Sequence, residues 1–136
     1  MTPRIKWDES YHVGVEAMDR QHDHLTGLIN ELFEAYMAGR EREHLAATIR
    51  ELSDYAGYHF ATEERLMLEH DYPETSAHLD QHLEFTDRVL GFLGDYAAGK
   101  NDLSAELLDY LTDWWTSHVS GTDKKLGDFL NEVGAV

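Results

Sequence analysis

In four successive stretches the apolar residues recur three and four positions apart, the period of one helix face. The first carries Leu25, Leu28, Ile29, Leu32, Phe33 and Tyr36 after Asp19, a candidate N-cap, and Gly39 stops it. The second carries Leu45, Ile49, Leu52, Ala56 and Met67 and ends at "HDYPET" with Pro73. The third begins at Thr75 or Ser76 and turns Phe85, Val89, Phe92 and Tyr96 inward, while the fourth opens at "NDLS" and carries Leu107, Leu111 and Trp114 up to Gly121. A shorter piece with Leu126, Phe129 and Leu130 closes the chain. The pattern predicts helices over 19–38, 41–70, 75–98 and 102–120 and a short C-terminal helix over 122–132. Residues 1–18, interrupted by Pro3 and Gly14, have no sustained period and read as an irregular arm.

Four such stripes are buried only by packing on one another, and short connections force sequential helices to run antiparallel. The expected fold is all-α, an antiparallel up-down-up-down four-helix bundle with an irregular N-terminal arm, forming a single domain over 1–136. A chain of 136 residues is long enough for one real core. Its formal charge of −16 repels phosphate backbones and anionic lipid, so nucleic acid and membrane surfaces are not expected partners. No apolar run approaches the roughly 20 residues a membrane-spanning helix needs, and "MTPRIKWDES" has no signal-like apolar stretch, so the expected location is the cytoplasm. Cysteine is absent, which excludes disulfides and thiolate ligands. The acidic surface also opposes self-association, and a monomer is expected.

Histidine spacing alone proves little. Nine residues are histidine and 27 are acidic, and four histidines have a histidine or glutamate four residues on, where roughly two would arise by chance. Position separates them. Gly14 lies inside the His12/Glu16 pair and Pro73 inside the His70/Glu74 pair, so neither pair is expected on a continuous helix. His59 and Glu63 instead continue the apolar series of the second helix, and His78 and His82 begin that of the third. Extending the other stripes adds His22, three before Leu25, and His118, four after Trp114. In an antiparallel bundle these positions fall within about two turns of one level. Leaving five imidazoles and a carboxylate there uncompensated would cost on the order of 1–3 kcal/mol per unsatisfied group, and metal coordination removes that cost. The alternative is a histidine-rich core satisfied by hydrogen bonds alone. Asp123, five after His118, would point about 140° away on an unbroken helix, and Gly121 between them is expected to allow a turn that brings it back. His12, His24, His44 and His70 are expected to face solvent.

Together Trp7, "DRQHDHL" at 19–25, "HFATEERLM" at 59–67, "YP" at 72–73, "HLDQH" at 78–82 and "WWTSHVSGTD" at 114–123 resemble the hemerythrin family, in particular its bacterial single-domain members. The resemblance spans nearly the whole chain. It implies a non-haem di-iron centre that binds O2, with His78, His82 and His118 on one iron and His22 and His59 on the other. By the same resemblance Glu63 and Asp123, with an oxo or hydroxo group, bridge the two irons, and the second iron keeps one position open for O2. Phe60, Trp114 and Val119 match apolar positions of the family's O2 pocket, with Met67 packing nearby. Trp115 departs from the family pattern, which has an aliphatic residue there, and its bulk bears on pocket volume.

A donor set of five neutral imidazoles and two carboxylates suits O2 binding without O–O cleavage, whereas carboxylate-rich di-iron sites favour higher oxidation states. Structural zinc, with about four ligands in a closed tetrahedron, fits less well. The expected function is O2 carriage, storage or delivery, with an oxygen-consuming protein as the expected partner. The alternatives are O2 or redox sensing through a partner, a di-iron peroxidase or oxidase, and metal handling.

Overall fold

In the computed structural model, which describes residues 12–100 and 103–134, the described residues are helical apart from short turns. Helices α1 (Glu16–Met37), α2 (Glu41–Glu69), α3 (Thr75–Ala97) and α4 (Leu103–Trp114) form an all-α four-helix bundle. Trp7 of the predicted arm and the "ND" of the predicted fourth start lie outside the described residues. Gly39 and Gly99 end α1 and α3 at φ +72° and +79°, left-handed conformations that glycine adopts without a Cβ clash. α1 packs on α2 and α4, and α3 also packs on α2 and α4, so sequential helices are neighbours round a square.

Three expectations about the helices are corrected. α1 begins at Glu16 and not at Asp19. The Asp19 carboxylate, inside the first turn, accepts the Val13 N–H at 2.7 Å and so ties Val13 to the start of the helix. Gly121 makes no turn: α4 runs on as a π-helical segment, Trp115–Thr122, and then as α5, Asp123–Glu132, without a break. Tyr36 and Tyr96 were expected to point inward and are 41% and 38% exposed, because both lie in the last turns of their helices, where the bundle opens to water.

The core has two parts. Leu25, Ile29, Leu32, Ile49, Leu52, Phe85, Leu107 and Leu111 belong to the larger cluster, in the body of the bundle. Val13, Val15, Met18, Met67, Tyr72, Leu126 and Leu130 form a second, which joins the residues just before α1 to α2, its following turn and α5. Met67 therefore packs with the arm and not with the predicted pocket residues, which join the larger cluster. At Gly127 the chain of α5 meets Val13: a Cβ there would lie 2.6 Å from Val13 Cβ and 2.7 Å from its carbonyl oxygen. Gly127→Ala is expected to destabilise the fold by about 1–3 kcal/mol through overpacking, read as a lower urea midpoint at unchanged m-value.

Candidate metal centre

Between the two apolar clusters each of four helical segments contributes to one polar layer. On α1, His22 stands between Met18 and Leu25; on α2, Glu63 stands between Phe60 and Met67; on the last run, Asp123 stands between Val119 and Leu126. His22, His59, Glu63, His78, His82, His118 and Asp123 are all buried, with no more than 3% of any residue exposed. The structure brings these seven predicted residues together. His12, His24 and His44 are exposed, and His70 is half-buried at the C-terminus of α2.

The donors divide into two groups sharing the same two carboxylates: Glu63, His78, His82, His118 and Asp123, and His22, His59, Glu63 and Asp123. Within each group the donor atoms lie within 4.8 Å of one another. The carboxylates split their oxygens between the groups. Glu63 Oε1 lies 3.0 Å from His78 Nε2 and 2.9 Å from His82 Nε2, whereas Oε2 lies 2.9 Å from His59 Nε2 and 3.9 Å from His22 Nε2. Asp123 Oδ1 lies 3.0 and 3.1 Å from the Nε2 atoms of His78 and His118, and Oδ2 lies 2.8 and 3.7 Å from those of His22 and His59. Every histidine turns Nε2 inward.

The π segment explains how Asp123 reaches this layer. Its backbone N–H donates to the His118 carbonyl, an i→i+5 bond, which widens the turn so that residues five apart face the same side. The spacing that a regular helix would misalign is absorbed by the backbone, with no interruption at Gly121.

Two contacts that the helical periods did not reveal orient the imidazoles. The His59 Nδ1–H donates to Gln21 Oε1 across the α1–α2 interface, and the His118 Nδ1–H donates to Gln81 Oε1 at 2.6 Å across the interface with α3. Each fixes the tautomer whose Nε2 lone pair points into the layer. Gln21 is held by Thr62 at 3.2 Å and Gln81 by Thr122 at 3.0 Å. The readable signal is a repeated dipeptide: a Gln-His pair lies about two turns into both α1 and α3, so that one residue enters the layer and its neighbour reaches the next helix.

The predicted pocket residues also separate. Trp114 stacks on His118 with centroids 3.9 Å apart, against the three-histidine half, whereas Phe60 stacks on His82 at 3.8 Å and lies 5.9 Å from His59, and so touches both halves. Trp115 approaches His22 edge-on at 6.3 Å, on the two-histidine half. Val119 is wholly buried in the larger cluster.

The layer is built for positive charge. Burial disfavours protonating His59 and His78, yet the carboxylates of Glu63 and Asp123 outweigh it and raise their pKa values to about 10 and about 9. Burial alone would raise both carboxyls, but the neighbouring histidines hold Glu63 and Asp123 well below the usual carboxylate range. At His82 burial prevails and lowers the pKa. His59 Nε2, His118 Nε2, Glu63 Oε2 and Asp123 Oδ1 are buried and make no hydrogen bond. Buried polar atoms are ordinarily satisfied, and cations lying between the two shared carboxylates would satisfy all four. Nitrogen and oxygen donors without sulfur suit a divalent transition metal such as iron.

Comparison with known proteins agrees with this chemistry. The model of the hemerythrin HHE cation-binding domain matches residues 13–130. The chain is 34% identical to a bacteriohemerythrin of Stenotrophomonas maltophilia, over 91% of this chain and 80% of that protein. It is 34% identical to a bacteriohemerythrin of Pseudomonas aeruginosa over 88% and 76%, and 31% identical to a hemerythrin-like protein of Naegleria gruberi over 89% of each. A crystal structure of a hemerythrin variant with a leucine-to-alanine substitution superposes with a TM-score of 0.83 at 23% identity, covering 93% of this chain and 97% of that one, and so shares the fold. The chain belongs to the hemerythrin family, built on the HHE cation-binding domain.

Proposed function

We propose that this chain holds two iron ions and binds O2 reversibly, for carriage, storage or delivery of the gas. Family membership supports non-haem iron and O2 binding in general. The observation that carries the finer reading is the division of each carboxylate, one oxygen toward each histidine group. A single-metal site has no need of that arrangement. His78, His82 and His118 would hold one iron and His22 and His59 the other, with Glu63 and Asp123 across both. Iron supplies the electrons and the open coordination position that a gas ligand needs. The two-histidine group has one nitrogen donor fewer, which leaves the vacancy on the side of His22, His59 and Trp115. Phe60, Trp114, Trp115 and Val119 wall the site with apolar surface and hold back water. Among the described residues no helix is long and apolar enough to cross a membrane. We read the protein as a cytoplasmic monomer that delivers O2 to a consuming partner, and as a binder without enzymatic turnover.

Anaerobic loading with ferrous iron, admission of O2 and its removal test this reading. A visible charge-transfer band should appear and vanish through repeated cycles; oxidation that does not reverse would overturn it.

Loading should also release protons. His59 and His78, with pKa values of about 10 and about 9, are charged at neutral pH without metal, and coordination requires neutral imidazole. At least these two protons per chain are therefore expected in weakly buffered indicator dye at pH 7. Because these pKa values are raised from 6.5, the stability they give the metal-free chain is complete below that pH and lost as pH rises toward 10. Metal affinity runs the other way and falls as pH is lowered.

A further inference from the structure

Tyr55 stands one turn before His59 on α2, and its ring stacks on the His59 imidazole with centroids 5.1 Å apart and planes 15° off parallel. The phenol meets Phe60 edge-on at 6.5 Å. Its hydroxyl oxygen is buried and has no hydrogen-bond partner. A buried hydroxyl that donates to nothing is unfavourable in a well-packed core, and Tyr55 is otherwise a packed member of the larger cluster. The imidazole beneath it belongs to the half with fewer nitrogen donors. Tyr55 also lines a groove between α1 and α2 with Arg20, Gln21 and Tyr58.

We propose that the Tyr55 hydroxyl donates a hydrogen bond to the small exogenous ligand held at the His22/His59 half: O2, or an anion such as azide. The proposal rests on the di-iron reading above. A fixed donor already in place needs no reorganisation when the ligand arrives, and a charged or strongly polarised acceptor gives the stronger class of hydrogen bond. The orphaned hydroxyl is then a group whose partner is the ligand. It makes the pocket selective for ligands with an accepting atom beyond the one bound to metal.

Azide binding to the diferric protein tests this in parent and Tyr55→Phe. The variant should retain two irons per chain and bind azide on the order of tenfold more weakly, with the change in the dissociation rate. The azide stretching frequency should shift in D2O in the parent and not in the variant. Iron-loaded and without azide, the variant should melt at or above the parent temperature, since it loses a hydroxyl that had no partner. Azide affinity within twofold of the parent overturns the proposal, as does a change confined to the association rate, which would make the ring a wall. A parent protein that holds iron but gives no azide band would instead place the failure in the di-iron reading.

Discussion

If the chain holds two irons as proposed, replacing Glu63 with alanine should cost it both. Glu63 places one oxygen 2.9–3.0 Å from the Nε2 atoms of His78 and His82 and the other 2.9 Å from that of His59, so its loss reaches both donor groups. Removing an outer partner of a metal ligand typically lowers affinity by about 10–100-fold, and loss of a shared ligand should exceed that. Glu63→Ala is therefore expected to be isolated with less than one iron per chain, by metal analysis, under conditions where the parent holds two. The metal-free fold should suffer as well. The carboxylate is wholly buried and is part of what keeps His59 and His78 protonated. Breaking such a buried arrangement costs about 3–5 kcal/mol, readable as a lower urea midpoint than metal-free parent. A variant that keeps two irons would remove the bridging role from Glu63.

Chelation of the intact protein should lower its melting temperature by about 10–20 °C, from about 4 kcal/mol at a thousandfold excess over Kd. The physical reason is where the layer sits. Seven buried polar side chains separate two apolar clusters, and four of their inward atoms have no hydrogen bond. A cation that binds the folded state alone stabilises it by mass action. An unchanged melting temperature after verified loss of iron would mean that the histidines and carboxylates satisfy one another without metal.

Much of this architecture was legible in the sequence because the helical period is a property of neighbouring residues. His59 and Glu63 continue the stripe of Leu52 and Ala56, and reading that stripe through its polar members led to the layer. The π segment was not legible: residue spacing does not reveal whether a helix bonds i→i+4 or i→i+5, and Gly121 suggested a turn that the backbone does not make. Gln21, Gln81 and Tyr55 were missed for other reasons. Gln21 and Gln81 act on a histidine of a neighbouring helix through their own side chains, so no stripe includes them, whereas Tyr55, three after Leu52 and four before His59, lies on the α2 stripe and reads there as ordinary core. The tyrosines at 36 and 96 failed oppositely, since a stripe gives direction but not depth along the bundle.

The two glutamine contacts have an electronic consequence. A carboxylate in either place would share the imidazole proton and lend negative charge through the ring to the metal, lowering its reduction potential. A carboxamide cannot ionise and lends none. The side chains that set the ring angles of His59 and His118 thus also favour the electron-rich form of whatever redox metal the layer holds, without touching it.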